Sequence, residues 1–174
     1  MIGTTVLGIV SKRGVALGSD GQISLESTIM KAKAVKIRKL YNDTVLAGFA
    51  GATADALTLF EKFETKLSEY SGHLERAAIE LTKDWRTDKY LRRLEALLIV
   101  MDKKHGLVIS GNGDVIEPDD GILSIGSGGA YALAAARAML HSSKLPIKNI
   151  VEKSLLIAAS ICIYTNDNIV VETL

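Results

Sequence analysis

Two adjacent threonines, Thr4 and Thr5, follow Gly3 and open the first apolar run of the sequence, residues 6–10. A threonine hydroxyl stays protonated at neutral pH, so it becomes a useful nucleophile only when a base lies beside it. Cleavage after Gly3 would make Thr4 the N-terminal residue. Its own α-amino group, with an ordinary pKa of about 7.7–8.0, would then lie within reach of its hydroxyl. The alternative is that the pair simply begins a β-strand, because β-branched residues favour strands.

Asp20 and Lys36 form a second candidate pair. Lys36 belongs to the strand-like run 35–40, and a lysine that points inward from a strand needs a carboxylate partner. Asp20 is a candidate for that partner, although an aspartate before a glycine is usually a turn residue. A lysine beside Thr4 would favour the deprotonated hydroxyl through its positive charge, and an aspartate would hold the lysine in place.

The glycine-rich stretch 126–129 does not match the sequence motif of a phosphate-binding loop. Such a loop ends in a lysine followed by serine or threonine, whereas Gly129 is followed by Ala130 and Tyr131. A dinucleotide fingerprint fails as well, because Tyr131 occupies the position of its last glycine. What remains is a strand-to-helix turn that carries the hydroxyl of Ser127. Two interpretations of this turn stay open. It is a tight turn with no further role, or it positions the Ser127 hydroxyl beside a neighbouring site.

Composition sets the broad class of the protein. The chain has 174 residues, of which 48% are hydrophobic and 24% are charged. This length and composition suit one globular domain whose hydrophobic core is large enough to fold without disulfides or a structural metal. A formal net charge of +1 gives no electrostatic reason to expect a nucleic acid or a membrane surface as a partner. No apolar run approaches the length of a membrane span, and the first ten residues lack a basic leader. We therefore expect a cytoplasmic protein.

Cysteine and histidine usage gives little sign of metal or redox chemistry. Cys162 is the single cysteine, so no internal disulfide is possible, which fits a reducing compartment. His73, His105 and His141 are scattered and do not form a zinc spacing with Cys162.

The periodicity of apolar residues predicts the order of the elements. Short strand-like runs cover residues 5–10, 15–18, 27–30, 35–40 and 44–50, and two helical patterns, 56–70 and 74–85, follow. A second block of strands covers 96–125, a second helix pair covers 130–140 and about 146–162, and 169–171 is a closing strand. This order differs from the regular alternation of a parallel sheet. It indicates an α+β fold with antiparallel sheets that helix pairs cover on their outer faces.

Seven segments together resemble the HslV (ClpQ) family, the peptidase subunits of a bacterial ATP-dependent protease that are related to proteasome β subunits. The segments are Thr4-Thr5, 19–22, Lys36, 47–51 with 53–55, 83–88, 111–114 and 125–129. Each motif alone is weak, but the set in this order and spacing is specific, and the likeness runs from Thr4 to about Glu172. It implies an N-terminal nucleophile hydrolase fold, a four-layer αββα sandwich.

The resemblance also implies a role for each matched residue. Thr4 would be the nucleophile and its amine the base, Lys36 would tune the hydroxyl, and Asp20 would pair with Lys36. The backbone N–H of Gly51 would stabilise the oxyanion, and Ser127 would lie near the threonine amine. A propeptide of residues 1–3 would precede a single peptidase domain, residues 4–174, and Thr4 would remove it by attacking the Gly3 carbonyl.

Cofactors and partners follow from the same resemblance. Main-chain oxygens of Ala159, Cys162 and Thr165 would hold a monovalent cation, Na⁺, and Ala159 stands where relatives usually have glycine. The protomers would form two stacked hexameric rings, and a separate hexameric AAA+ ATPase, HslU, would unfold protein substrates and feed them in. This chain itself would bind no nucleotide. Two alternatives stay open at this point: a non-catalytic ring subunit of the same fold, and an amidase that acts on small amides.

Overall fold

Strands and helices follow one another in blocks along residues 3–174, the part of the chain that the computed structural model describes. Met1 and Ile2, within the predicted propeptide, lie outside the described residues. The first block contains β1 (Thr5–Ser11), β2 (Gly14–Ser19), β3 (Ile23–Leu25), β4 (Thr28–Lys31), β5 (Ile37–Leu40) and β6 (Val45–Gly51), followed by α1 (Thr53–Glu69) and α2 (Leu74–Thr87). The second contains β7 (Ala96–Met101), β8 (Gly106–Ser110), β9 (Val115–Ile116), β10 (Ile122–Gly126), α3 (Gly129–Ser142), α4 (Ile147–Ile161) and β11 (Val170–Thr173).

Two antiparallel sheets are built from these strands. One has the order β10-β1-β2-β11 and the other the order β5-β6-β7-β8-β9. The pairs β1–β2, β5–β6 and β7–β8 join neighbours in sequence, whereas β1 also pairs with β10 and β2 with β11. These last two pairings bring the end of the chain and the glycine-rich turn after β10 to the sheet that carries Thr4.

Alternation along each strand separates the apolar residues into three layers. In β6, Val45 and Ala47 face helices α1 and α2, whereas Leu46 between them packs between the two sheets. In β1, Leu7 packs against α3 and α4, and Val6 belongs to the layer between the sheets. Because successive strand residues point to opposite faces, two helix–sheet layers enclose one sheet–sheet layer. The predicted four-layer αββα sandwich is confirmed.

One segment differs from the sequence prediction. The stretch 23–25 was not predicted as a strand, yet β3 pairs with β4 in a separate two-stranded hairpin. In β3 the polar Ser24 is buried and the apolar Leu25 is exposed, so burial runs against the apolar pattern of this three-residue strand. β4, all of whose residues are exposed, overlaps the predicted strand 27–30. Within residues 3–174, no helix is both long enough and apolar enough to cross a bilayer.

Gly126 ends β10 at the point where this strand lies beside Thr5 at the start of β1. Its φ is +93°, and a Cβ there would overlap the Thr4 carbonyl oxygen. Gly129, three residues later, opens α3, and a Cβ there would meet its nearest neighbour, in Ser124, at an ordinary 3.6 Å. Glycine is therefore required at residue 126 but not at residue 129.

We expect Gly126→Ala to lower the free energy of unfolding by about 2 kcal/mol or more. Alanine is strained in the left-handed backbone conformation of residue 126, and its Cβ would also push the Thr4 carbonyl aside. Gly129→Ala, the matched control, should be neutral or stabilise by about 0.5–1 kcal/mol, because alanine favours a helix over glycine. Urea unfolding of both variants at one protein concentration measures the difference. Equal losses in the two variants would contradict this assignment.

Candidate active site

Asp20 lies directly after β2 with its side chain fully buried, and four donors surround its carboxylate. Lys36 Nζ is 2.8 Å from Oδ1, and the backbone N–H of Thr5 donates to the same oxygen at 2.9 Å. The backbone N–H groups of Gln22 and Asn166 donate to Oδ2 at 3.0 and 3.2 Å. The carboxylate therefore accepts one hydrogen bond from an ammonium and three from backbone amides, so its burial does not leave it without partners.

Lys36 immediately precedes β5 and is 1% exposed. Its carbonyl oxygen accepts a hydrogen bond from Phe49 N at 3.2 Å, which fixes its backbone to the second sheet. Burial lowers the pKa of Lys36 below its ordinary value because the ammonium is desolvated, and the neighbouring charge and hydrogen bond of Asp20 oppose this shift. The predicted pairing of Lys36 with Asp20 is therefore present in the structure.

Ser127 holds the backbone of Thr4, and the Thr4 hydroxyl lies beside the preceding peptide bond. The backbone N–H and the hydroxyl of Ser127 both donate to the Thr4 carbonyl oxygen, at 2.8 and 3.3 Å. The Thr4 hydroxyl donates to the carbonyl oxygen of Gly3 at 2.8 Å. The glycine-rich turn thus holds Ser127 against the predicted nucleophile, on its carbonyl side.

A narrow cleft brings Thr4, Lys36 and Gly51 together. Its walls also include Ile23, Lys31, Ala34, Val35, Phe49 and Thr53. Gly51 ends β6 with a φ of +138°, and a Cβ there would lie 2.6 Å from the Glu95 carbonyl oxygen. The backbone of residue 51 can therefore pass this close to the neighbouring strand only as glycine.

The second threonine is engaged elsewhere. Thr5 is fully buried, its hydroxyl lies 2.7 Å from the hydroxyl of Thr165, and the backbone N–H of Gly128 donates to it at 3.0 Å. A hydroxyl with two partners and no access to the cleft is a structural group. Of the two threonines, Thr4 lines the cleft and Thr5 does not.

The predicted cation ligands lie at the end of α4 and in the loop that follows. Ala159 belongs to the last turn of α4, where carbonyl oxygens lack helical partners and carry partial negative charge. Cys162 is the C-cap residue, and its carbonyl oxygen accepts a hydrogen bond from Thr165 N at 3.1 Å. A second lone pair remains on that oxygen, and backbone carbonyl oxygens are a ligand type that hard cations accept.

Three residues support the site through contacts that the sequence did not predict. Asn166 donates its N–H to Asp20 and accepts from Gly21 N at 3.0 Å through its side chain. Thr165 reaches Thr5 through its hydroxyl, and Gly128 reaches Thr5 through its N–H. All three contacts span more than 120 residues of sequence, and no local pattern signals them.

We expect Lys36→Met to cost about 3–5 kcal/mol of stability, because removal of one partner leaves the Asp20 charge buried without a cation. The three backbone donors to Asp20 favour the lower end of this range. Lys39→Met is the matched control, because Lys39 lies 3.6 Å from Glu172 and the two side chains are 35% and 42% exposed. It should cost about 0–1 kcal/mol. Urea unfolding at pH 7 compares the two, and equal effects would show that the buried pair is not stabilising.

Comparisons with known proteins agree with this geometry. The sequence profile of the family described as "Proteasome subunit" matches residues 1–174. The crystal structure of eukaryotic HslV from Trypanosoma brucei is 46% identical in sequence, with a TM-score of 0.94 over 98% of this chain and 99% of that one. A structure described as Thiobacillus denitrificans BPH has a TM-score of 0.72 at 17% identity, over 98% and 97% of the two chains, and supports the fold alone. The resemblance to HslV and the N-terminal nucleophile hydrolase fold are thereby confirmed, and the chain belongs to the proteasome subunit family.

Proposed function

We propose that this protein is a threonine-type endopeptidase, with Thr4 as the N-terminal nucleophile once residues 1–3 are removed. One observation carries the proposal: Thr4 and Lys36 line the same cleft, and buried Asp20 holds the Lys36 ammonium at 2.8 Å. A fixed positive charge beside a hydroxyl lowers the free energy of the alkoxide that forms as it attacks.

Processing is the first reaction that we assign to this site. Thr4 Oγ1 attacks the carbonyl carbon of Gly3, the bond from that carbon to Thr4 N breaks, and the nitrogen takes the hydroxyl proton. The product is an ester between Gly3 and Thr4 Oγ1, which water hydrolyses to leave a free α-amine. The hydroxyl already lies 2.8 Å from the Gly3 carbonyl oxygen, which supports attack at this peptide bond.

Peptide hydrolysis repeats the same chemistry on a substrate. The free amine of Thr4 accepts the proton of its own hydroxyl while Oγ1 attacks the substrate carbonyl carbon. The amine then protonates the leaving nitrogen, and water cleaves the acyl ester. The backbone N–H of Gly51, at the wall of the cleft, is our candidate for the oxyanion donor. One such donor commonly contributes about 3 kcal/mol to the transition state.

A monovalent cation, Na⁺, held by the backbone oxygens of Ala159, Cys162 and Thr165 belongs to the same proposal. When bound, it supplies positive charge at the C-terminal end of α4 and fixes the loop that follows. This loop carries the Thr165 hydroxyl that contacts Thr5 and the Asn166 N–H that contacts Asp20. The loop thereby positions Thr5, which follows Thr4, and Asp20, which holds Lys36.

Assembly into two stacked hexameric rings and delivery of unfolded proteins by a hexameric ATPase, HslU, complete the proposal. The relative from Trypanosoma brucei is named as an HslV, and this likeness supports both the ring assembly and the ATPase partner that we propose. The glycine-rich turn lacks a phosphate-loop lysine, so nucleotide hydrolysis is assigned to the partner.

Exposed apolar side chains support self-assembly, since monomers rarely expose such patches. We define the hairpin patch as Leu25, Ile29, Met30, Val35 and Ile163, each 60–80% exposed.

Thr4→Ala tests the nucleophile. It should abolish cleavage of a small fluorogenic peptide and leave residues 1–3 attached, because neither reaction has a hydroxyl to begin it. Thr5→Ala is the matched variant and should retain both processing and measurable cleavage, at lower stability, since it loses only the contacts to Thr165 and Gly128. Intact-mass spectrometry and peptide turnover give the two readouts.

The same pair of variants separates the alternatives. Activity in Thr4→Ala together with loss of activity in Thr5→Ala would move the nucleophile by one residue and overturn our assignment. A wild-type chain that keeps residues 1–3 and cleaves nothing would favour a non-catalytic ring subunit. Turnover of small amides without cleavage of peptides would favour an amidase.

Ile29→Glu tests assembly through the hairpin patch. A charge within an apolar interface is not compensated, so we expect the large particle to dissociate into smaller species, as measured by native mass spectrometry. Lys12→Glu introduces the same side chain into the β1–β2 turn, at the other end of β2 from this patch, and should leave the particle mass unchanged. An unchanged particle in Ile29→Glu would place the interface elsewhere.

A further inference from the structure

Three side chains from separate elements meet on the surface, and none of them lines the catalytic cleft. Glu75 lies in the first turn of α2, His105 lies in the turn between β7 and β8, and Glu117 follows β9. One potential ligand atom from each residue lies within 4.8 Å of the others. The group joins the outer helix layer to the edge of the five-stranded sheet.

Both carboxylates converge on the same ring nitrogen. His105 Nδ1 is 3.1 Å from Glu117 Oε1 and 3.4 Å from Glu75 Oε1. One ring nitrogen carries at most one proton, so it cannot donate a well-aligned hydrogen bond to both oxygens. Within residues 3–174, no lysine or arginine nitrogen lies within 4.0 Å of either carboxylate. Two negative charges therefore converge on one nitrogen without a permanent cation between them.

The backbone around His105 is fixed in advance. Asp102 Oδ1 accepts hydrogen bonds from the N–H groups of Lys104 and His105, both at 2.7 Å, and Asp102 N donates to the His105 carbonyl oxygen at 2.9 Å. Glu75 is held in a helix that His73 caps by accepting the N–H of Arg76. Two of the three candidate ligands, His105 and Glu75, therefore project from backbone that hydrogen bonds already hold in place.

We propose that Glu75, His105 and Glu117 form a binding site for a divalent transition metal, with Zn²⁺ as the best match. Imidazole nitrogen and carboxylate oxygen are zinc ligands, and two ligands at zinc bond lengths in tetrahedral geometry are about 3.3–3.5 Å apart. The two contacts of His105 Nδ1 are close to this separation. Two carboxylates and one neutral imidazole balance the charge of the ion, and water completes the coordination. A bound ion would fasten α2 to the strands beneath it.

Calorimetric titration of ZnCl₂ into chelator-treated, assembled protein at pH 7.5 tests the site. We expect one ion per chain with saturable binding, and at least tenfold weaker binding in both His105→Ala and Glu117→Gln. His141→Ala is the matched control, because it removes an exposed histidine of α3 and should bind as the wild type does. Zn²⁺ should also raise the melting temperature of the wild type and the control, but not that of the two site variants.

Two results would overturn the proposal. If His105→Ala binds Zn²⁺ as tightly as His141→Ala does, the ion is held elsewhere. If the wild type does not bind saturably, the cluster is an ion pair between protonated His105 and its two glutamates. The Glu117 hydrogen bond already raises the pKa of His105, which is consistent with that arrangement when no metal is bound. Neither result depends on peptide cleavage, so the peptidase proposal is tested separately.

Discussion

The buried charge of Asp20 is the constraint on which the site depends. An ionised carboxylate in the interior is costly unless it is paired and hydrogen-bonded, and here the donors come from four places. They are the start of β1, the turn after β2, the loop after α4, and Lys36 ahead of β5. Because β2 and β5 belong to different sheets, the Asp20–Lys36 pair also joins the two sheets at the edge where the cleft opens. The contact with this carboxylate therefore helps to hold Lys36 at the cleft.

Close backbone approach is the second constraint, and glycines permit it. A side chain at Gly126 would overlap the Thr4 carbonyl oxygen, and one at Gly3 would overlap Tyr164. The same Thr4 oxygen receives both hydrogen bonds from Ser127. Thr4 is thus fixed on its carbonyl side by the turn after β10, and Gly3 is pressed against the loop after α4. This arrangement holds the Gly3–Thr4 peptide bond in one conformation beside the hydroxyl.

The sequence predicted most of the element order because its apolar periods are strong. It made Asp20 a candidate partner for Lys36 because an inward-pointing lysine needs a carboxylate, and the family resemblance then implied the pair. It could not predict which strands pair over long distances, such as β1 with β10, since nothing local encodes that contact. For the same reason Thr165, Gly128 and Asn166 were not recognised as supports of Thr5 and Asp20. The cluster around His105 was also missed, because its ligands lie 30 and 12 residues apart and no short motif connects them. The family resemblance named the candidate catalytic residues, whereas local physics justified only Thr4, Asp20 and Lys36.

The two adjacent threonines show how the fold chooses between equivalent side chains. Successive residues along an extended segment point to opposite sides, so Thr4 and Thr5 cannot both face the cleft. Thr5 faces the interior and is held by Thr165 and Gly128, and its N–H binds Asp20. Thr4 lines the cleft together with Lys36 and Gly51, and its hydroxyl donates to the Gly3 carbonyl. A shift of one residue would exchange every side chain between the two sides. The network around Thr5 therefore keeps the register of β1, and with it the choice of the threonine that lines the cleft.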